Sequence, residues 1–254
     1  MRPTRILAIA GLSTALFGTA NAEIESGISV GYHSEYIDRG VNLGEELVDL
    51  GLGISGSTAL ANWNLGASFG SWDDMEEFHV EASLSRHLGG EPFPLVASAG
   101  LANTSYEGTL TLPPSLGGGG ASGPIRLADR LEPFVGVSTT LGALNLSTKV
   151  FFNISDSDPS TGWAHDVYWE VGASYSADLG ANLSGSLSGE LGVWDTDPFV
   201  AEAGEGVYYS VTGALQYALS DNITLSAYAT QLWNDNNWNL EDETFAGASV
   251  SVSF

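Results

Sequence analysis

The chain has 254 residues, with 31 acidic and 7 basic side chains, a formal net charge of −24 and no cysteine. The absence of cysteine excludes a disulfide-stapled scaffold and any cysteine-based metal site or nucleophile, and the charge argues against nucleic-acid binding, which needs Lys and Arg opposite phosphate. The length fits one or two soluble domains, or a single large barrel.

The first 22 residues have the layout of a secretory signal peptide. Arg2 and Arg5 precede an apolar run from Ile6 to Phe17, and Ala20-Asn21-Ala22 offers a small-residue cleavage site. The alternative is an N-terminal membrane anchor, but the run is short for a helix that spans a bilayer. The sequence therefore predicts a signal peptide over residues 1–22 and a mature domain over residues 23–254.

After residue 23, apolar and small polar side chains alternate with a period of two, which is typical of half-buried β-strands. Most runs are close to the roughly 9–11 residues that a tilted strand needs to cross a bilayer. The twelve runs, in chain order, are Gly27–Tyr36, Val48–Ser55, Trp63–Gly70, Phe78–Ser85, Leu95–Tyr106, Leu131–Leu141, Leu144–Ile154, Asp166–Tyr175, Leu183–Trp194, Val207–Tyr217, Ile223–Leu232 and Thr244–Phe254.

The connections between these runs alternate in length. Longer acidic or Gly-rich segments follow the odd-numbered runs: Asp38–Glu46, Trp72–Glu77, Glu107–Asp129, Ser155–His165, Asp195–Gly206 and Asn234–Glu243. Shorter turns follow most even-numbered runs, for example Leu141-Gly142-Ala143 and Asp178-Leu179-Gly180. Long loops at one end and short turns at the other are typical of outer-membrane barrels, and an even number of strands places both termini on the periplasmic side.

Alternation alone also fits a secreted β-sandwich, in which the apolar face would form the core. Here the polar face is rich in Gly and Ser, which suits a lumen. Aromatic residues also close the apolar face at both ends of the runs, as interfacial girdles do: Tyr36, Phe69, Phe78, Phe152, Tyr209 and Trp233 at the long-loop end, and Trp63, Tyr175, Tyr217 and Phe254 at the other. The sequence therefore predicts an all-β, antiparallel, up-and-down transmembrane barrel of about twelve strands.

The chain stops at the end of its last run, with Ala246, Val250 and Phe254 on one face. A terminal aromatic residue on an alternating strand resembles the assembly signal of bacterial outer-membrane proteins. We therefore expect the protein in the outer membrane of a Gram-negative bacterium. Its expected partners are outer-membrane lipid, lipopolysaccharide and the barrel-assembly machinery.

The N-terminal part is similar to a known family. The stretch Ser29–Gly40 resembles the opening strand and first loop of the TorF family of porins, whose members combine a signal peptide, a Ser-x-Tyr-x-x-Arg-Gly element and a barrel of similar length. The residues that occupy this element are Ser34, Tyr36, Arg39 and Gly40. Phe69-Gly70-Ser71-Trp72 resembles a second Gly-x-Trp element, but Asp73-Asp74 follows it where many members have Ser-Asn. The resemblance implies a location and a fold rather than a substrate.

No pattern in the sequence favours an enzyme. HExxH and phosphate-loop motifs are absent. His33 and His79 fall on the predicted lumen face, where we interpret them as polar lining. Glu76-Glu77 lies in a predicted loop and suggests a solvated surface rather than glycoside hydrolysis. The run Gly117–Gly120 lacks the strand–loop–helix setting of a phosphate-binding loop.

The acidic loops leave two interpretations open. Asp73-Asp74, Asp156-Ser157-Asp158 and Asp195-Thr196-Asp197 could bind Ca²⁺ or Mg²⁺ weakly through hard oxygen ligands, or they could form a solvated acidic surface. No complete EF-hand spacing supports a specific metal site, and no cofactor is expected.

The predicted lumen face carries an excess of negative charge near its outer end. The acids expected there are Glu35, Asp49, Glu81, Glu132, Asp166, Glu170 and Glu190, opposed by Lys149 and Arg39. Small polar residues such as Ser29, Asn64 and Ser147 line the inner half. Carboxylate rings attract cations in pores, and twelve strands enclose only a narrow path. The alternative is that these charges pair with one another and fill the lumen.

These patterns favour a passive channel for small polar or cationic solutes. A non-conducting receptor, adhesin or structural barrel is the main alternative, and a secreted β-sandwich binding domain is a third.

Overall fold

The computed structural model describes residues 24–39, 41–90, 94–109, 127, 129–155, 167–194, 206–235 and 242–254. The predicted signal peptide, residues 1–22, lies outside this part of the chain. The twelve strands are β1 Glu25–Asp38, β2 Val41–Ser57, β3 Asn62–Trp72, β4 Met75–His87, β5 Leu95–Gly108, β6 Arg130–Leu141, β7 Leu144–Phe152, β8 Val167–Gly180, β9 Leu183–Trp194, β10 Gly206–Ala218, β11 Ile223–Asp235 and β12 Glu243–Ser253.

Each strand pairs antiparallel with its neighbours in the chain, and β1 pairs with β12 from Gly27 opposite Ser253 to His33 opposite Gly247. The sheet is therefore a closed, up-and-down barrel without an open edge. This confirms the predicted fold and strand number. Among the described residues, none lies in a helix that is long and apolar enough to span a membrane.

The two faces of the barrel differ as the alternation predicts. The outer face exposes large apolar side chains, including Val30, Leu52, Leu65, Leu84, Val135, Leu187, Leu215 and Val250. The alternate positions of the same strands, largely Gly, Ser, Thr and charged residues, point into the barrel. An exposed apolar band around a closed barrel with a polar interior suits lipid as the surrounding medium, whereas a soluble sandwich would bury such a band.

Two predicted loops are wrong, and the turn predicted at Asp178-Leu179-Gly180 lies instead at Ala181 and Asn182, because β8 continues to Gly180. Asp38–Glu46 and Trp72–Glu77 were expected to be loops, but β1 and β2 pair up to Asp38 opposite Val41, and β3 and β4 pair up to Trp72 opposite Met75. Backbone pairing thus continues to turns of two residues, so that Glu45, Glu46, Glu76 and Glu77 belong to strands. We call the end of the barrel that carries these turns the mouth, and the opposite end the exit.

The end of the β1–β2 hairpin is not paired with the strands beside it. The pairing of β1 with β12 ends at His33, and the pairing of β2 with β3 ends at Val48 opposite Ser71. Residues 34–39 and 41–47, which we call the hairpin tip, therefore have backbone pairing only within the β1–β2 hairpin. Glu46 has a left-handed backbone (φ 57°), and the register shifts between Tyr36 and Ile37. These irregularities bend the ribbon, as β-bulges do.

Candidate functional site: the lumen and its mouth

The hairpin tip lies across the mouth of the barrel. Arg39, in the turn between β1 and β2, donates a hydrogen bond to Glu132 of β6 at 2.7 Å. Its guanidinium also lies over the rings of Tyr168 in β8, 4.3 Å from the centroid, and Phe151 in β7, 5.6 Å away. These strands follow β1 by five to seven places in the wall. The tip therefore reaches the opposite side of the barrel.

A second ion pair joins the tip to the same wall. Arg130 of β6 is buried and lies 2.8 Å from Asp38 Oδ2, and it also donates a hydrogen bond to the Tyr106 hydroxyl at 2.8 Å. The Tyr106 hydroxyl donates in turn to Asp38 at 3.4 Å. Because both partners of this pair are largely removed from water, loss of either one would leave a costly unpaired charge.

One apolar cluster fills the β1–β4 side of the mouth. Leu43, Trp72 and Met75 are only 1–2% exposed, and Tyr36 stacks at a tilt on Trp72 with ring centroids 4.4 Å apart. Leu47 and Leu127 complete the buried set, with Tyr106 packed beside it. The Trp72 indole N–H donates to the Leu43 carbonyl oxygen at 2.9 Å, which ties the tip to β3.

A second cluster fills the β8–β11 side. Tyr168, Trp194, Tyr208 and Leu232 are buried together, with Ile37, Phe151 and Phe245 packed against them. The Tyr168 and Tyr208 hydroxyls lie 2.5 Å apart, and the Tyr208 hydroxyl donates to Glu190. Since Ile37 belongs to the hairpin tip, the tip is in contact with both clusters.

Glycines on neighbouring strands make room for these inward-facing rings. A Cβ atom on any of these glycines would come within 2.5 Å of an atom of the ring beside it. The pairs are Gly44 with Trp72, Gly100 with Phe134, Gly192 with Tyr208, Gly206 with Trp194 and Gly247 with Tyr228. The packing of the mouth therefore depends on the absence of side chains at particular positions.

A group of charges lies next to the second cluster. Lys149 of β7 and Glu170 of β8 are opposite each other in register, and Glu170 interacts electrostatically with Glu190, Lys149, Arg39 and Glu81. Lys149 Nζ lies over the rings of Phe134, at 5.1 Å, and Phe151, at 5.8 Å. Glu81 belongs to β4, on another part of the wall. Charges from different sides of the lumen therefore act on one another, which is the arrangement of a narrow pore.

The two lumen histidines bind neighbouring polar side chains. His33 Nδ1 makes a hydrogen bond with the Tyr228 hydroxyl, and His33 Nε2 lies 3.4 Å from an oxygen of Asp49, which is buried. This contact passes over Gly247 of β12 and joins β1 to β11 across the seam where the barrel closes. His79 Nδ1 is 2.9 Å from the Thr104 hydroxyl oxygen.

The exit has a different lining. Inward side chains there are small and polar, and they remain partly accessible: Ser29, Ser55, Ser83, Ser147, Ser174, Ser184 and Ser186. Phe254 at the C-terminus is 75% exposed, while its backbone exchanges hydrogen bonds with Ser26. The last residue is thus held by its backbone, and its ring is free to contact lipid or a partner.

The structure brings together most of the acidic and basic residues that the sequence placed in the lumen. Glu132 binds Arg39, Glu190 accepts from Tyr208, Asp49 lies beside His33, and Glu35 accepts from Asn42 at 3.1 Å. Asp166 lies outside the described residues. Glu77, predicted in a loop, is instead buried in the lumen and accepts a hydrogen bond from Tyr36.

Two aspects of the site were not predicted. Tyr36 was expected in the lipid-facing girdle, which is wrong, because the bend of the hairpin tip turns its ring into the lumen. The inward rings Trp72, Tyr106, Tyr168, Trp194 and Tyr208 and the buried Arg130 were missed. A signal for them exists in the sequence: aromatic residues at polar-face positions, all close to the mouth end of their strands.

Metal binding receives no support from the described residues, since none of their His, Asp and Glu side chains form a group of three or more that could hold an ion. The acids of residues 156–158 and 195–197 lie outside the described part of the chain.

Known proteins resemble this chain in structure rather than in sequence. No family profile matches it, and no curated protein is similar in sequence. The KdgM porin superposes with a TM-score of 0.52 at 10% identity, over 90% of this chain and 99% of that one. The NanC porin gives 0.53 at 14% identity, over 90% and 98%. An outer-membrane channel from Pseudomonas putida F1 gives 0.54 at 12% identity, over 93% and 97%.

At such low identities these matches establish the fold. The chain is a porin-like β-barrel of the bacterial outer-membrane type, with twelve strands, an apolar outer band and a polar lumen.

Proposed function

We propose that this protein is an outer-membrane channel through which small polar or cationic solutes pass passively. The observation that carries the proposal is the charge of the lumen wall. Among the described residues, Glu170 interacts electrostatically with Glu190 and Glu81, and Lys149 and Arg39 oppose this negative charge. In a narrow, partly low-dielectric path, one uncompensated carboxylate favours cations over anions by about 1 kcal/mol. The serine-lined exit gives a hydrated, neutral continuation of the path.

Reversal potentials in a KCl gradient across a planar bilayer test this proposal. The native protein is expected to be cation-selective. Replacing Glu81, Glu170 and Glu190 together with Gln should lower that selectivity, whereas Lys149→Ala should raise it. Arg86→Ala is the matched control, since Arg86 lies near the exit at an outward-facing position. Anion selectivity in the native protein would contradict the proposed mechanism.

A second candidate is a barrel that does not conduct and acts as a receptor, adhesin or structural protein. The observation that favours it is the hairpin tip across the mouth, with Leu43, Trp72 and Met75 almost fully buried. A complete lack of current from correctly folded native protein would support this alternative over a channel.

We also propose that the chain is a relative of the TorF porins. The support comes from Ser34, Tyr36 and Arg39, which match the short family element and, in this fold, belong to the hairpin tip. If the element has a common role, Tyr36 and Arg39 are the residues through which it acts.

The proposed partners follow from the outer-membrane fold. They are outer-membrane lipid and lipopolysaccharide around the apolar band, small solutes in the lumen, and the barrel-assembly machinery at the C-terminal strand. Deleting Phe254 should reduce the yield of assembled barrel more than Asp74→Ala does, measured as the fraction that migrates faster on gels before boiling. Weak Ca²⁺ or Mg²⁺ binding by the acidic loops, and the absence of enzymatic activity, stay predictions.

A further inference from the structure

We propose that the hairpin tip sets the narrowest part of the lumen, and that Arg39 is the specificity-determining residue that holds it there. This inference rests on the proposed channel function but is tested separately from it. It concerns how wide the path is and which residue fixes its width, rather than which sign of charge passes.

The position of the tip depends on contacts with the opposite wall. Beyond His33 and Val48 the backbone of the ribbon pairs with no other strand of the barrel, and an isolated two-stranded hairpin is at best marginally stable in water. Two ion pairs hold the tip to the opposite wall: Arg39 with Glu132, 2.7 Å apart, and Asp38 with Arg130, 2.8 Å apart. Together these pairs decide whether the ribbon lies across the mouth or stands away from it.

The β2 side of the tip has a separate attachment, to β3. Leu43 is 1% exposed, and its carbonyl oxygen accepts the hydrogen bond from Trp72. Losing Arg39 removes one of the two ion pairs with the opposite wall, and should therefore displace the turn while Trp72 keeps Leu43 in place. The barrel wall itself, which is paired strand to strand, does not depend on Arg39.

Arg39 also brings a positive charge close to the lumen acids. It binds Glu132 directly and interacts electrostatically with Glu170. Its removal should therefore have two effects at once: a wider path, because the ribbon is released, and stronger cation preference, because an opposing charge is lost. Loss of charge without movement would change selectivity alone.

Single-channel conductance and the size limit for neutral polyethylene glycols are the measurements that test the inference. Arg39→Ala should raise conductance by about twofold or more and admit larger polymers, as a wider pore does. The double variant Arg39→Ala with Glu132→Ala should show the same rise in conductance and in polymer size limit. It avoids leaving the Glu132 carboxylate buried without a partner. The gel-mobility shift before boiling establishes that each variant is folded.

Thiol chemistry gives a second test, because the native chain has no cysteine. In Arg39→Cys, a small cationic methanethiosulfonate reagent should return conductance toward the native value. The matched control is Asp74→Cys, at an exposed position in the β3–β4 turn at the same end of the barrel. Its modification should leave conductance unchanged.

The outcomes separate the inference from the proposed function. A rise in conductance on loss of Arg39 supports the inference, even where the native protein carries little current. Folded Arg39→Ala protein with native conductance and a native polymer limit overturns it, and so does an equal response to thiol modification at positions 39 and 74. A native channel that is cation-selective but unaffected by these changes would leave the channel function standing and place the narrowest point elsewhere.

Discussion

The mouth and the exit of this barrel are built on the same strands but from different side chains. At the mouth, aromatic rings, two arginines and several carboxylates pack against one another, and the hairpin tip joins opposite walls. At the exit, small hydroxyl side chains remain partly accessible. A barrel of this size can therefore be a packed protein interior at one end and a polar channel at the other. Substitutions at the two ends should therefore differ in their cost.

The largest effect is expected at Trp72, the most voluminous of the almost fully buried side chains at the mouth. Trp72→Ala removes its contacts with Tyr36 and its hydrogen bond to Leu43, and should lower the free energy of unfolding by about 4 kcal/mol. Trp63→Ala, on the outer face near the exit, is the control and should cost clearly less. Urea unfolding in detergent, followed by circular dichroism, makes the comparison. Equal costs would mean that the mouth is not packed as a core.

The second largest loss of stability is expected when the Arg130 charge is removed. Arg130→Met leaves Asp38 without its ionic partner at a largely buried site, and should destabilise the folded barrel by about 3 kcal/mol. Adding Asp38→Leu should recover part of that loss, because neither charge is then left alone. The same unfolding assay, applied to both single variants and the double variant, gives the coupling energy. A coupling energy near zero would show that the pair does not hold the tip.

Two Gly→Ala substitutions, each of which adds one methyl group, compare the packing of the mouth with that of the exit. A Cβ on Gly247 would lie 2.5 Å from the Tyr228 ring and 2.8 Å from His33 Nδ1, so Gly247→Ala should cost about 2 kcal/mol through overpacking. A Cβ on Gly53, nearer the exit, would meet nothing within 4 Å. Gly53→Ala should therefore be close to neutral in the unfolding assay. The reverse order would be incompatible with the proposed packing at the seam.

The smallest effects are expected at the exit. Ser174→Ala and Ser186→Ala each remove one partly accessible hydroxyl group, and should change the free energy of unfolding by no more than about 0.5 kcal/mol. Their single-channel conductance should also stay near the native value. A large change in either measurement would show that the exit, rather than the mouth, controls the path.

Much of the fold could be predicted because the pattern that assigns each strand lies within a short stretch of sequence. A period of two assigns each strand and its faces, so Trp63, Tyr175 and Val250 were expected on the apolar, lipid-facing side, and the strand number followed from counting runs. The same rule placed Glu132, Lys149 and Glu170 inside the barrel. The rule fails at the hairpin tip, where Tyr36 turns inward because Glu46 and the register shift bend the ribbon.

The strands, their inward and outward faces, and the excess of acids on the inner face follow from the sequence alone, because they depend only on the order of residues within each run. Which inward side chains meet depends on the closed barrel. Arg39 reaches Glu132 and Tyr168 because the barrel closes at twelve strands, and because the hairpin tip separates from the strands beside it and bends across the mouth. Contacts between strands five to seven places apart depend on circumference, register and strand length together, and no local pattern contains them.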